Sequence, residues 1–151
     1  MVNKSKEKVY VNNNPISDMF ADFTDEQKMS MVNLLFIVSN CDFKEKNTDT
    51  SKEIVYLDRY IKILGVDAEK FRINVDNRNV FNLDKICKDL SKLSLTQKEF
   101  LVFVTWGMVE CDGKPNDTEI NTTIGTFGRI GIEEFQFVSI LQKFKALGDL
   151  L

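Results

Sequence analysis

The chain has 151 residues, of which 43% are hydrophobic and 28% are charged, and its formal net charge is -3. This composition is typical of one ordinary folded domain, large enough to bury roughly two thirds of its unfolded surface. Because acidic residues outnumber basic ones and the lysines are scattered among them, nucleic acid is not expected as the main partner.

The residue types that the chain lacks exclude most enzyme mechanisms. It has no histidine, so the usual general base is missing, and Cys-His and Ser-His-Asp catalysis are excluded. Its cysteines, Cys41, Cys87 and Cys111, include no Cys-x-x-Cys pair, which argues against a zinc ribbon and a disulfide framework. Cys111 lies between Glu110 and Asp112, whose charges disfavour its thiolate. We therefore expect a non-enzymatic protein.

The N-terminal residues are polar and rich in lysine and asparagine, which predicts a flexible segment over residues 1–14. They contain no hydrophobic stretch of the kind that a signal peptide needs, so a cytoplasmic location is expected. Residues 15–151 are predicted to fold as a single domain. Asn14 and Pro15 match an N-cap and a first helical position, which predicts a short helix ending at Phe23.

A motif occurs twice, over residues 24–71 and 95–135. Each copy contains an apolar run of helix length, at residues 31–38 and 100–109, followed by Cys-Asp, a polar loop, an acidic helix start and a glycine stop. Both runs are apolar nearly all round, so the two helices should lie in the middle of the domain. Both are also shorter than the ~20 residues that cross a bilayer. The repeat predicts two pseudo-symmetric helical halves.

Capping patterns predict where these helices begin and end. Thr24-x-x-Gln27 and Thr96-x-x-Glu99 match the capping box and should open the two long helices. An amphipathic partner helix follows in each copy and should end at Gly65 or Gly131, a residue type suited to the left-handed position after a helix. The apolar stripes predicted for the partner helices are Ile54, Leu57, Ile61 and Leu64 in the first copy and Ile120, Ile124, Phe127 and Ile130 in the second.

The rest of the chain completes an all-α prediction of about seven helices in one bundle. Residues 72–81, rich in asparagine and aspartate, are expected to form a loop, and Asn82 is expected to cap the helix that follows. A last helix is predicted from Ile132 to Leu147, with its end at Gly148. The core face predicted for this helix consists of Phe135, Val138, Leu141 and Phe144.

The polar loops contain a candidate site for a divalent cation. Asp112 follows the C-terminal end of a buried helix, where the helix dipole disfavours a carboxylate by roughly 0.3–1 kcal/mol unless a cation compensates. Calcium and magnesium bind carboxylate oxygens. The candidate metal ligands are Asp112, Asp117 and Glu119 in the second copy, with Asp42 and Glu53 as a weaker set in the first.

The same residues also fit a structural role. Asn116-x-x-Glu119 and Thr50-x-x-Glu53 match the capping box, so each glutamate can close its own helix start. Asp112-Gly113 can likewise form an Asx turn. Neither loop has the ligand pattern of an EF-hand. Capping and cation binding therefore both remain open interpretations of the sequence.

The motif resembles the TerB-like family of tellurite-resistance proteins, whose all-helical domain also includes the N-terminal part of the DjlA co-chaperones. The family pattern is an apolar helix ending in Ala-Asp-Gly, a short loop, a glutamate in the next helix start and a Leu-Gly-Ile stop, in two related halves. Asp112-Gly113, Glu119 and Ile130-Gly131-Ile132 match this pattern well. The first copy departs from it, because Phe43 replaces the glycine and the loop is longer.

The resemblance implies an acidic, non-enzymatic domain in the cytoplasm, within a tellurite- or chemical-stress-response system. It implies protein partners, among them membrane-associated components of that system, without insertion of this chain into the membrane. The acidic surface from Asp112 to Glu119 would then contact a protein partner. The alternative is a sensor that binds a divalent cation, calcium or magnesium, through the same loop.

Overall fold

The computed structural model describes residues 19–40, 51–111 and 113–150. This part of the chain contains seven α-helices and no strand, so the predicted all-α fold is confirmed. The predicted segment 1–14 and residues 15–18 of the predicted helix 15–23 lie outside it, and residues 20–22 form a turn rather than the end of that helix. The arrangement in two pseudo-symmetric halves stays a prediction. The helices are α1 (Asp25–Asn40), α2 (Ser51–Leu64), α3 (Ala68–Asp76), α4 (Leu83–Ser91), α5 (Leu95–Glu110), α6 (Asp117–Ile130) and α7 (Glu134–Leu150), with a 3-10 turn (Asn79–Phe81) before α4.

The two long apolar helices, α1 and α5, form the centre of the bundle as predicted. They pack against each other, α1 is covered by α2, α4 and the 3-10 turn, and α5 is covered by α6 and α7. None of the helices in the described ranges combines the length and the apolar character needed to cross a bilayer. The buried apolar residues of the central pair are Met31, Val32, Leu34, Leu35 and Val38 in α1 and Leu101, Val102, Val104, Met108 and Val109 in α5.

Two of the predicted helix starts are confirmed in detail. Thr24 Oγ1 accepts a hydrogen bond from the Gln27 amide at 3.1 Å, and Gln27 Oε1 accepts one from the Thr24 amide at 2.9 Å. Asn82 Oδ1 accepts a hydrogen bond from the Lys85 amide at 3.2 Å and caps α4. These side chains satisfy amide groups that have no partner within the first turn of their helices.

The helix α5 begins two residues earlier than the sequence predicted. Its capping box consists of Ser94 and Gln97, with hydrogen bonds of 3.2 and 2.8 Å, so the predicted box Thr96-x-x-Glu99 is wrong. Both overlapping boxes match the pattern, but Ser94 has the extended backbone that an N-cap requires, right after the end of α4. With this start, α5 has 16 residues, the same length as α1.

Glycine ends both partner helices, as predicted. Gly65 and Gly131 have φ angles of 72° and 111°, in the left-handed region where a Cβ is disfavoured. The amide after each glycine donates to the carbonyl five residues back, at 3.0 Å in α2 and 2.8 Å in α6. These bonds are typical of the Schellman motif.

Residues 72–81 form the end of α3 and a 3-10 turn, so the loop predicted there is wrong. Asp67 Oδ1 accepts two amide hydrogen bonds, at 3.0 and 3.2 Å, from the first turn of α3. Arg72 pairs with Asp76 one turn later, at 2.8 Å, and Phe71 anchors the helix in the core. The cap, the ion pair and the buried ring together outweigh the low helix propensity of asparagine and aspartate.

The core face predicted for the last helix is confirmed for Leu141 and Phe144, which pack against the core, and is wrong for Phe135 and Val138. Phe135 is 67% exposed and Val138 is 43% exposed, whereas Phe137 and Ile140 are buried. Residues 137, 140, 141 and 144 also have helical spacing, so the sequence permits either face, and packing against α5 and α6 selects this one. Gly148 lies inside α7 and does not end it, since glycine in a helix costs only about 1 kcal/mol relative to alanine.

Gly107 allows α5 to approach the Tyr56 ring of α2. We therefore expect a larger side chain at residue 107 to lower the free energy of unfolding. A Cβ at Gly107 would overlap the Tyr56 hydroxyl and lie 3.0 Å from its Cζ, whereas a Cβ at Gly125 in α6 would meet open space. Gly107→Ala should lower the free energy of unfolding by about 1–3 kcal/mol because the ring must move. Gly125→Ala should raise it by about 0.5–1 kcal/mol through helix propensity.

Urea unfolding of the two variants beside the parent chain measures both changes. Partial recovery of Gly107→Ala stability in a Tyr56→Phe background would assign the cost to the tyrosine hydroxyl. Stabilisation by Gly107→Ala of the same size as by Gly125→Ala would show that the two helices do not approach each other in this way.

Candidate functional site

The structure describes three of the five residues predicted to bind a cation. Glu53 lies in the first turn of α2, and Asp117 and Glu119 lie in the first turn of α6. Asp42 and Asp112 lie outside the described residues. Within the described ranges, no group of three or more cysteine, aspartate or glutamate side chains is placed to hold a metal ion. The predicted cation site requires Asp112, so it stays a prediction.

Glu119 closes the N-terminal end of α6. Its Oε1 accepts a hydrogen bond from the Asn116 amide at 3.0 Å, and Asn116 Oδ1 accepts one from the Glu119 amide at 2.9 Å. This is the capping box that the sequence offered as the structural alternative, and for this residue it is confirmed. Glu119 is only 2% exposed, so its carboxylate points into the protein rather than to the surface of the loop.

Glu53 occupies the matching position of α2. It is the third residue of its helix, as Glu119 is of α6, and it is 4% exposed. Thr50, its predicted capping partner, lies outside the described residues. Asp117, in contrast, is exposed. Of the three described candidates, only Asp117 therefore presents its charge to solvent.

A shallow cleft, which we name the α2 cleft, lies beside the C-terminal end of α5. Its volume is about 370 Å³. Val55, which lines the cleft, is 60% exposed, and the neighbouring Ile54 is 62% exposed although the sequence placed it on the core stripe. The cleft therefore joins an exposed apolar surface of α2 to the start of the second acidic loop. The residues that line it are Lys52, Val55, Tyr56, Arg59 and Cys111.

Tyr56 lines the α2 cleft, and its hydroxyl and its ring both have partners in the structure. Its hydroxyl donates a hydrogen bond to the Val104 carbonyl oxygen at 2.7 Å, and its ring lies 5.1 Å from the ring of Tyr60. Burial raises the pKa of Tyr56 far above its ordinary value, and burial also raises the pKa of Tyr60. Both hydroxyls therefore stay protonated at neutral pH, so neither provides a phenolate base or nucleophile.

The two described cysteines do not resemble activated nucleophiles. Cys87 lies in the core, where burial raises the pKa of its thiol. Cys111 is half-buried at the edge of the α2 cleft, and the chain contains no histidine to act as its base.

The residues that line the α2 cleft form a pattern in the sequence, but a search for apolar core stripes does not detect it. Lys52, Val55, Tyr56 and Arg59 have the three- and four-residue spacing of one helix face. This second face mixes charged, apolar and aromatic residues, so it does not stand out as a core stripe. Only the packing of α2 against α1 and α5 decides which face of the helix is buried.

Comparisons with models of protein families, with curated proteins and with solved structures gave no match. The resemblance to the TerB-like family therefore depends on the repeated motif and on the residues that match it. Membership of that family stays a prediction.

The capping role of Glu119 predicts how substitutions at this residue change the free energy of unfolding. Glu119→Ala should lower the free energy of unfolding by about 1–2 kcal/mol, because the Asn116 amide loses its acceptor. Glu119→Gln should retain most of the stability, since glutamine is an equally good residue for the capping box. Asp117→Asn, an exposed control, should change stability by less than about 0.5 kcal/mol. Equal losses for Glu119→Gln and Glu119→Ala in thermal or urea unfolding would show that the negative charge, not the cap, stabilises α6.

Proposed function

We propose that this chain is a non-enzymatic, TerB-like interaction module of a stress-response system of the tellurite-resistance type, located in the cytoplasm. Its contact surface combines the α2 cleft with the acidic second loop. The observation that supports this most strongly is the exposure of two adjacent apolar residues, Ile54 and Val55, beside a cleft that reaches the loop. Single exposed apolar residues are common, but an apolar cluster beside a concavity is typical of an interface.

The charges around the cleft suggest the chemistry of the partner. Lys52 and Arg59 line the cleft itself, and Glu110 and Asp117, at the two ends of the loop, are exposed. An interface commonly has an apolar centre with a charged rim. The partner expected here is a protein that inserts an apolar side chain beside Val55 and places basic residues against the acidic loop. In this proposal it belongs to the membrane-associated part of the system, and the chain itself does not insert into the membrane.

A sensor of a divalent cation, calcium or magnesium, is the alternative function. The capping role of Glu119 favours the interaction module, because Oε1 of this residue already accepts a hydrogen bond from the backbone. A cation that used the same oxygen would have to compete with the helix cap. Exposed Asp117 and the predicted ligand Asp112 would then provide most of the binding.

Capture experiments with surface variants test the interaction module. The tagged chain is incubated with lysate of its own host, and the captured proteins are quantified by mass spectrometry. Val55→Lys should weaken capture of the specific partner by about tenfold or more, since it places a charge in the apolar centre. Phe135→Lys is the matched control, because Phe135 is an equally exposed apolar residue on α7, which does not line the cleft.

A different pattern of capture would contradict the proposed interface. Equal capture by the parent chain and Val55→Lys, together with loss of capture by Phe135→Lys, would move the interface to α7 and contradict the proposal. Repeating the binding measurement with the purified partner then gives Kd values for both variants.

Thermal unfolding after removal of metals tests the alternative. A ligand that binds only the folded chain stabilises it by about 2.7 kcal/mol at a hundredfold excess over Kd. The interaction module predicts no rise in Tm that is specific to calcium or magnesium. A rise with one of these ions that disappears in the Asp112→Asn/Glu119→Gln variant would instead establish the cation sensor.

A further inference from the structure

The outer side of α7 exposes apolar side chains. Phe137 marks the inner side of this helix, because the centre of its ring lies 5.7 Å from that of Trp106 in α5 and 5.5 Å from that of Phe127 in α6. At about 100° of rotation per residue, Val138 and Phe135 lie roughly 100° and 200° around the helix from this contact. Phe135 is 67% exposed, more than any other large apolar residue in the described ranges, and Val138 is 43% exposed.

Charged residues lie at the two ends of this surface. Glu134, Val138, Leu141 and Lys145 are separated by four, three and four residues, so they lie along one side of the helix. The same alternation of four and three residues forms the contact seam of a coiled coil. Glu134 and Lys145 are exposed, and Leu141 is half-buried. We name these four residues, with Phe135 beside them, the α7 face.

Both charges of the α7 face are available to a partner. Neither Glu134 nor Lys145 takes part in an ion pair within the described part of the chain. Lys143 differs from Lys145 in this respect, because it pairs with Glu99 of α5 at 3.3 Å. The α7 face therefore has a negative charge at its N-terminal end and a positive charge roughly 16 Å further along the helix axis.

The α7 face is complementary to itself in the antiparallel direction. Its spacing of four, three and four residues is unchanged when it is read backwards. An antiparallel second copy therefore places Val138 against Leu141 and Glu134 against Lys145, and each contact occurs twice, as two-fold symmetry requires. A parallel second copy would instead place Glu134 against Glu134 and Lys145 against Lys145, and like charges repel.

We propose that the α7 face binds a second copy of this chain, so that two antiparallel α7 helices pair across a two-fold axis. The face is only about three helical turns long, so the interface is small and the association is weak and reversible, as in transient complexes. The pair uses none of the residues that line the α2 cleft, so each copy keeps its cleft open to a partner. This inference and the proposed function can therefore fail independently.

Sedimentation velocity of the full chain tests the proposal. Over a range of about 5–500 µM, the weight-average mass should rise from that of one chain towards that of two, since a weak dimer forms only as the concentration approaches its Kd. Phe135→Lys and Val138→Lys should each weaken the association by about tenfold or more, because each places a charge at the apolar centre. Val55→Lys, at the α2 cleft, is the control and should associate as the parent chain does.

Charge exchange distinguishes the antiparallel pair from other arrangements. Glu134→Lys and Lys145→Glu should each weaken self-association by about fivefold or more, because each turns two attractive contacts into repulsive ones. A mixture of these two variants should associate again, since opposite charges face each other in the mixed dimer. Lys88→Glu makes the same charge change as Lys145→Glu at an exposed residue of α4, and it should self-associate as the parent chain does.

Several results would overturn the proposal. A chain that stays monomeric over the whole concentration range would do so, as would self-association that survives both Phe135→Lys and Val138→Lys. Charge variants that associate as the parent chain does, or that fail to recover when they are mixed, would exclude the antiparallel arrangement. Loss of partner capture by Phe135→Lys from a chain that is monomeric would assign the α7 face to a different protein.

A measurement of the fold accompanies each variant. Glu134→Lys also opposes the helix dipole at the start of α7, so a loss of association is compared with the helix content and the Tm of the same variant. Loss of association at unchanged helix content and Tm assigns the effect to the interface.

Discussion

The architecture depends on the burial of two helices, α1 and α5, that are apolar on nearly every side. A helix with one apolar stripe needs one neighbour, but a helix that is apolar all round must be covered in every direction. The other five described helices and the 3-10 turn provide this cover around the central pair. At about 25 cal/mol for each Å² of apolar surface removed from water, this burial is the largest favourable contribution to folding. A buried polar group near the two helices therefore costs free energy unless it is satisfied locally or lies where the cover is incomplete.

Several of the buried polar side chains follow this rule. Glu119 lies at the start of α6, where a side-chain oxygen is needed to satisfy a backbone amide. Ser30 lies inside α1 but donates to Asp89 of α4, so it is satisfied across the helix interface. Asn33 is one turn further along the same helix and lines a cavity of about 610 Å³ between α1, α3 and α4. The proposed contact surface likewise lies where helices cover the central pair incompletely, at the α2 cleft beside α5.

Local signals allowed much of the fold to be predicted, whereas the choice between helix faces needed the packed structure. Thr24, Asn82, Gly65 and Gly131 act within a few residues of their own position, so the sequence predicts their role correctly. The exposed faces of α2 and α7 could not be predicted in this way, because each helix has two possible apolar faces and tertiary contacts select one.

The predicted acidic site shows the same limit of local reasoning. Glu119 matched both a cap and a cation ligand, and its inward direction, which depends on packing, confirms the cap. Asn33 carries no sequence signal at all, because a single asparagine in an apolar run is equally compatible with a satisfied side chain.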